Sequence, residues 1–232
     1  MFDSKYSKLL TAILVIVIIA IVGLLGFLVF DLVKGNNESK QASQFVENFE
    51  NASKRNETNE NNNSEENVDI PDIDALNIIG ETDNSQQSST TSAKKTYKGY
   101  TVQGTIKIPK ISLELPIFEE MGAKSLEIGA QIWYPRTGDD LNSPGNTVIA
   151  GHNYRNGKLF SNLKKLNIGD KVYITNYKGQ TMAYTIYNKF EASSTDTSFY
   201  SRDTGGLAEI TLQTCTDSST DQRTIIFAKQ ST

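Results

Sequence analysis

The sequence predicts an all-β domain with short helices, folded as a closed barrel or a sandwich, preceded by one transmembrane helix and a disordered linker. Three features predict this order: an uncharged apolar run near the N-terminus, a long polar stretch, and a C-terminal half of short alternating segments separated by turn residues. We therefore divide the chain into an N-terminus at 1–8, an anchor at 9–30, a low-complexity linker at 31–96 and a folded domain at 97–232.

The anchor is predicted from Leu9 to Phe30, which contains no charged side chain. About 20 apolar residues in a helix span the hydrocarbon core of a bilayer. A cleaved signal peptide is the alternative, but its apolar region runs only about 7–15 residues and ends at a small-residue site, which this run lacks. Lys5 and Lys8 precede the span and only Lys34 follows it closely, so the N-terminus is expected in the cytoplasm. The sequence therefore predicts a single-pass membrane protein with an extracellular domain.

The linker is rich in Asn, Ser, Glu and Gln from residue 35 to about 93. Such a segment buries too little apolar surface to offset its ordering entropy, so we predict a disordered tether. Two more apolar stretches interrupt it. Residues 39–52, with Phe45 and Phe49, are predicted to form a short helix above the membrane. Residues 68–79 have two interpretations, a segment resting on the domain surface or one that covers the active-site groove.

Charge is distributed unevenly along the chain. Residues 35–98 carry six basic and twelve acidic groups, whereas residues 99–232 carry fourteen basic and thirteen acidic groups. The acidity therefore belongs to the linker, and the folded domain is nearly neutral. Nucleic-acid binding is not predicted, because it would need a clustered basic face.

The folded domain is predicted from many short strands with turn signals between them, a pattern typical of barrels and sandwiches. Helical turns are expected at 123–129 and 158–166. Strands are expected at 100–108, 113–117, 131–134, 146–151, 171–176, 181–191, 207–214 and 223–229.

The candidate chemistry centres on Cys215, the only cysteine, because a single thiol cannot close an internal disulfide. Cys215 ends one predicted strand and Arg223 begins the next, so the two are expected side by side across a hairpin. A neighbouring cation favours the reactive thiolate. His152, the only histidine, follows another strand, and its ordinary pKa suits proton transfer. The alternatives are a buried structural thiol, a loop histidine and a surface arginine; zinc is disfavoured because one His and one Cys are too few ligands.

These residues carry a resemblance to a known family. Thr211-Leu-Gln-Thr-Cys215, the strand-opening Arg223 and Ala150-Gly-His-Asn153 resemble the signature of the sortases, the cysteine transpeptidases that attach surface proteins to Gram-positive cell walls. Gly104-Thr-Ile-Lys-Ile-Pro-Lys-Ile111 and Leu115-Pro-Ile117 resemble the first two strands of that family. The resemblance covers about Gly99 to Lys229 and is to the family, without assigning one of its classes.

The resemblance implies an eight-stranded sortase-type β-barrel and a function. Cys215 would form a thioester with a C-terminal sorting motif of the Leu-Pro-x-Thr-Gly type, His152 would be the general acid and base, and Arg223 would bind substrate carbonyls or the oxyanion. The partners implied are exported proteins with a sorting signal, and an amine of a peptidoglycan precursor or a pilin lysine as acceptor. Two alternatives stay open: a thiol protease that uses water instead of an amine, and a non-catalytic binding module on a stalk.

The resemblance also suggests further site residues. Thr214 is expected near the oxyanion, and Ala150, Leu212 and the loop over 192–206 are expected to border the substrate groove. Some sortases bind calcium through loop carboxylates, but calcium needs six to eight oxygens brought together. Scattered carboxylates do not predict such a site, so no metal or other cofactor is predicted. The carboxylates in the corresponding regions are Asp139, Asp140, Glu191, Asp196 and Asp203.

Overall fold

The computed structural model of the chain describes residues 4–59, 95–119, 122–134 and 140–231. Its helices are α1 Ser4–Asn59 and α2 Ala123–Leu126, and 3₁₀ turns lie at Pro109–Ile111 and Phe160–Lys165. All eight predicted strands are confirmed within two residues at each end. The strands are β1 Thr96–Tyr97, β2 Tyr100–Ile108, β3 Leu113–Phe118, β4 Ala130–Tyr134, β5 Gly145–Ala150, β6 Lys171–Asn176, β7 Thr181–Ser193, β8 Ala208–Cys215 and β9 Gln222–Gln230.

Strands β2 to β9 form a closed eight-stranded barrel, as expected. The order around the barrel is β2-β3-β4-β5-β8-β9-β7-β6, and β6 pairs with β2 to close it. Two pairs of adjacent strands, β3–β4 and β5–β8, are parallel, and the other adjacent pairs are antiparallel. The short strand β1 extends the edge of β2. Closure removes free sheet edges, which would otherwise present unpaired backbone groups.

The barrel interior is filled by the alternate side chains of the strands. On β8, for example, Ile210 and Leu212 belong to the main core, as do Ile226 and Ala228 opposite them on β9. Phe160 and Leu163 of the second 3₁₀ turn, and Leu166 directly after it, are fully buried against the same core. This period-two alternation is what the sequence displayed, because successive side chains of a strand point to opposite faces.

Helix α1 contains the predicted anchor. Leu10–Phe30 has a mean hydropathy of 3.4, and none of it is buried against the rest of the protein. Within the described residues it is the one helical segment long and apolar enough to cross a membrane.

The same helix continues through residues 31–59, where the sequence predicted a disordered linker that could include a short helix over 39–52. The physical reason is a partner surface on the barrel. Ala42, Val46 and Phe49 share one helix face and are at most 4 % exposed, with Phe49 packed against the barrel residues Val102 and Phe118. Burial of side chains such as Val46 and Phe49 stabilises by roughly 1.5–3 kcal/mol each. Residues 60–94, including the segment at 68–79, lie outside the described residues.

Candidate active site

Cys215 and Arg223 face each other at the end of the β8–β9 hairpin. Cys215 is the last residue of β8, is partly exposed, and pairs directly with Arg223 of β9. Directly opposed residues in an antiparallel pair hold their Cβ atoms roughly 4.5–5.5 Å apart. The predicted pairing of Cys215 with Arg223 across the hairpin is therefore present in the strand register.

His152 lies at the same end of the barrel as Cys215. Strands β5 and β8 are parallel and end in register, with Ala150 opposite Gln213, so two further residues along each chain lead to His152 and Cys215. Two hydrogen bonds continue the pairing beyond the strands: Gly151 N donates to the Gln213 carbonyl at 3.2 Å, and the Thr214 hydroxyl donates to the Gly151 carbonyl at 2.7 Å. The topology therefore brings all three predicted residues to the adjoining ends of β5, β8 and β9.

The two ends of the histidine loop (residues 152–159) are held together by backbone contacts. The amide of Phe160 donates to the His152 carbonyl at 3.0 Å, and Asn153 and Leu159 form a β-bridge. Arg155 and Leu159 have positive φ angles of 57° and 48°, which are uncommon for residues with a side chain. Such backbone is retained only where the surrounding structure determines it, so the loop holds His152 in a defined place.

Asn153 is a site residue that the sequence reasoning missed. Its side-chain amide donates to the Cys215 carbonyl at 2.9 Å and to the Asp217 carboxylate at 2.9 Å. Lys164 forms an ion pair with the same carboxylate. Asn153 thus ties the histidine loop to the backbone of the cysteine itself. Its position directly after His152 was the available signal, because a primary amide can donate two hydrogen bonds at once.

The imidazole of His152 is partly buried beside the exposed ring of Tyr154, whose centroid lies 5.1 Å away. Burial lowers the pKa of His152 below its ordinary value of 6.5, and the negative charge of Glu127 opposes this shift. At neutral pH the imidazole is therefore mostly uncharged in the free protein. Glu127, which follows α2, is the acidic group that favours the imidazolium.

Because His152 is the only histidine, its titration can be measured directly by NMR of the imidazole protons. We expect a midpoint below 6.5, since desolvation disfavours the charged ring. Glu127→Gln should lower the midpoint further, because it removes the negative charge that favours the imidazolium. Glu114→Gln, which removes a carboxylate paired instead with Lys107, should leave the midpoint unchanged. An unshifted or raised midpoint in the parent protein would contradict this account.

Arg223 directs part of its guanidinium toward its own hairpin. Its Nη1 donates to the carbonyls of Thr220 and, at 3.3 Å, Gln222. Its charge also acts on Tyr200, where it favours the ionised phenol against the larger effect of burial, which raises the pKa of Tyr200. The remaining N–H groups of the guanidinium are those available to a substrate carbonyl or an oxyanion.

The other residues predicted near the groove, Leu212, Ala150 and Thr214, are largely buried. Leu212 was expected to border the groove, and this is wrong, because its side chain is fully buried in the barrel core. It lies three residues before Cys215, and the alternation of strand side chains therefore directs it to the opposite face. Ala150 lies beside Gln213 and is 7 % exposed. Thr214 is buried and its hydroxyl proton is donated to Gly151, so it has no side-chain donor left for an oxyanion.

The loop between β7 and β8 (residues 194–207) is held against the strand that carries Cys215. The Tyr200 hydroxyl donates to the Gln213 side chain at 2.7 Å, and the Asn146 side chain donates to the Tyr200 carbonyl at 2.9 Å. Its polar composition is that of an ordinary surface connection, yet Tyr200 is only 7 % exposed.

The loop between β7 and β8 is also held in place by an ion pair between Arg202 and Glu209, with an N–O distance of 2.7 Å. Arg202 also donates to the Thr211 hydroxyl at 2.7 Å, and its guanidinium lies 3.9 Å from the centroid of the Phe227 ring. Charge-assisted hydrogen bonds are roughly twice as strong as neutral ones, so Arg202 fixes the loop on β8.

No group of three or more His, Cys, Asp or Glu side chains in the described part of the chain is arranged to hold a metal ion. Of the loop carboxylates considered above, Asp140 accepts hydrogen bonds from the side chain of Asn176 at 2.7 Å and from the backbone of Asn142 at 2.7 Å. Asp139 lies outside the described residues.

Comparison with known proteins identifies the relatives of this chain. Residues 106–231 match the sortase domain family. The chain is 35 % identical over 121 residues to sortase A of Bacillus anthracis, covering 49 % of this chain and 52 % of the relative. It is 31 % identical over 133 residues to sortase A of Streptococcus agalactiae, covering 55 % of this chain and 52 % of the relative. The chain thus spans about half the length of these curated relatives.

A solved structure of similar fold is sortase A from Corynebacterium diphtheriae, in a form described as a lid mutant. The TM-score is 0.51 with 30 % sequence identity, covering 56 % of this chain and 70 % of that one. Sortase C-1 from Actinomyces oris has a TM-score of 0.50 with 25 % identity, covering 56 % of this chain and 74 % of that one.

Proposed function

This chain belongs to the sortase family, and we propose that it is a membrane-anchored cysteine transpeptidase acting on sorting peptides of exported proteins. The observation that carries the proposal is the meeting of Cys215, His152 and Arg223 at the adjoining ends of three strands. A thiol, a proton-transfer group and a fixed cation are the parts needed for acyl transfer through a covalent intermediate.

In the first step the Cys215 thiol gives its proton to the neutral imidazole of His152, and the resulting thiolate attacks the carbonyl carbon of the scissile peptide bond. The carbonyl oxygen becomes an oxyanion, which Arg223 stabilises with its free N–H donors. The tetrahedral intermediate collapses, the C–N bond breaks, and His152 as imidazolium gives its proton to the departing amine. The products of this step are a Cys215 thioester, the released C-terminal peptide and a neutral imidazole.

In the second step an acceptor amine attacks the thioester carbonyl. Neutral His152 removes the proton from the amine, the C–S bond breaks, and the Cys215 thiolate is regenerated beside the imidazolium. Covalent catalysis thus replaces one difficult amide exchange by two easier steps. We propose a sorting motif of the Leu-Pro-x-Thr-Gly type, and an acceptor amine from a peptidoglycan precursor or a pilin lysine.

The anchor proposal rests on α1. The apolar segment Leu10–Phe30 supports a single membrane span, and the basic residues Lys5 and Lys8 before it support a cytoplasmic N-terminus. The catalytic domain would then lie outside the cytoplasm, where exported substrates emerge. An anchored enzyme meets its protein substrate and a lipid-linked acceptor in the same place.

The test is the identity of the products. The full chain in detergent micelles or nanodiscs is incubated with a Leu-Pro-x-Thr-Gly peptide, with and without primary amines, and analysed by mass spectrometry. We expect cleavage after Thr and, when amine is present, an amide product that displaces the hydrolysed acid. Formation of acid alone at every amine concentration would replace the proposal by a thiol protease. Absence of cleavage across a library of sorting peptides would leave a binding module.

A further inference from the structure

The membrane-spanning helix and the helix docked on the barrel are one element. Helix α1 runs without interruption from Ser4 to Asn59, and its docked face comprises Ala42, Val46 and Phe49. Phe45 adds an aromatic contact with Tyr97 at 4.7 Å between ring centroids. A continuous helix transmits orientation as well as distance, so its docked part determines which side of the barrel faces the bilayer.

The contacts of α1 give the direction in which it crosses the barrel. Nearest the membrane, Glu38 forms an ion pair with Lys158 of the histidine loop, with an N–O distance of 3.6 Å. Twelve residues farther along α1, a Glu50 carboxylate oxygen lies 3.5 Å from the hydroxyl of Thr175 at the end of β6. The helix therefore meets the active-site end of the barrel first and the β6–β7 turn later.

The strand directions agree with this assignment. Strand β7 starts at Thr181, beside Thr175, and ends at Ser193, which pairs with Gln222 of β9. Cys215 lies next to that far end of β7, because it pairs with Arg223. The β6–β7 turn and the active site thus occupy opposite ends of the barrel.

The distance from the bilayer follows from helix geometry. Glu38 lies eight residues after Phe30, which corresponds to about 12 Å along the helix axis. The polar headgroup region is roughly 5–8 Å thick on each side of the hydrocarbon core, so Glu38 lies just beyond the headgroup layer.

Tyr154, which is 43 % exposed, is in the same histidine loop as Lys158. Exposed tyrosine is a residue type enriched at membrane–water interfaces.

From these contacts we propose that docking of α1 seats the active-site end of the barrel on the lipid headgroup layer, with Tyr154 and the histidine loop as the surface that meets the lipid. This inference rests on the proposed membrane anchor. Its consequence is that peptide and acceptor reach Cys215 along the membrane surface, while the β6–β7 turn points away from the bilayer.

The test uses tryptophan fluorescence in vesicles. Trp133 is the only tryptophan, so Trp133→Phe provides a dark background for the full chain. In that background, Tyr154→Trp places a reporter at the active-site end, and Tyr177→Trp is the matched reporter in the β6–β7 turn. The proteins are reconstituted into phosphatidylcholine–phosphatidylglycerol vesicles containing lipid brominated near the headgroup. We expect the emission at position 154 to fall by about half, because this position lies at the end of the barrel nearest the bilayer. The emission at position 177 should stay unchanged, because the β6–β7 turn lies at the far end.

Equal quenching at both positions, or stronger quenching at position 177, would overturn the inference. Adding Phe49→Ala should weaken the docking and reduce the difference between the two reporters, and an undiminished difference would show that docking does not set the orientation. Vesicle flotation and peptide cleavage are measured on the same samples. A protein that cleaves peptide but does not float contradicts the anchor and this inference with it, whereas one that floats and cleaves without selective quenching contradicts the orientation alone.

Discussion

Replacing Cys215 with alanine is expected to lower the rate of sorting-peptide cleavage by at least about four orders of magnitude, because no acyl intermediate can form without the thiolate. The thiol is placed for this role at the end of β8, partly exposed and directly across from Arg223. The measurement is kcat/KM for a fluorogenic Leu-Pro-x-Thr-Gly peptide, together with mass spectrometry of the intact protein. The parent protein should show a mass increase from a trapped thioester, and Cys215→Ala should show none.

Cys215→Ser is the companion variant, because it retains the shape of the side chain and replaces only the sulfur. We expect it to lose cleavage as well, since a serine hydroxyl is far less acidic than a thiol and stays protonated. Thermal unfolding of both variants should match that of the parent protein within a few degrees, since Cys215 contributes little core packing. Cleavage at more than a few per cent of the parent rate in the alanine variant would eliminate the thioester mechanism.

The strands of the barrel were predictable because each strand and each turn is indicated by a short stretch of sequence. Alternation along segments such as 207–214 gave strand positions, and polar stretches such as 216–222 gave the hairpin turns. The same alternation of side chains also determines the position of Leu212. Leu212 and Cys215 are three positions apart on one strand, so their side chains point to opposite faces, and the structure buries Leu212 in the core.

The docking of α1 was not predictable from composition. Residues 35–59 are rich in Asn, Ser and Glu, and such a segment has little reason to form a helix by itself. What stabilises the helix is a complementary barrel surface formed by Val102, Phe118 and Tyr97, which are distant in sequence. The sequence allowed a short helix over 39–52, but it did not indicate which surface would cover its apolar side chains.

The site itself was predictable to the level of its reacting groups. His152 follows a strand and Cys215 ends one, and the parallel pairing of β5 with β8 brings these two positions to the same end of the barrel. The supporting contacts were not predictable, because they depend on how loops fold back. Asn153 reaching the Cys215 carbonyl and Asn146 reaching the Tyr200 carbonyl both join segments whose relative position only the closed barrel determines.

Replacing Arg223 with lysine is expected to lower kcat/KM for the sorting peptide by about a hundredfold, although the positive charge is conserved. A guanidinium presents donors in a planar fork, so Arg223 can bond the Thr220 carbonyl of its own loop and still direct other N–H groups at the substrate. An ammonium group is a more compact donor on a flexible chain, and it cannot hold both positions at once. If the lost contact is made only to the oxyanion, kcat falls; if it is made equally to the bound peptide, KM rises.

Arg155→Lys is the matched control for this substitution. Arg155 is exposed in the histidine loop, and its guanidinium donates a long hydrogen bond of 3.4 Å to the Thr216 carbonyl. We expect its kcat/KM to stay within about twofold of the parent value, as for most surface substitutions. Equal losses in the two variants would mean that any arginine near this hairpin supports the local structure. A hundredfold loss confined to Arg223→Lys, with unfolding unchanged, would assign the effect to the guanidinium beside Cys215.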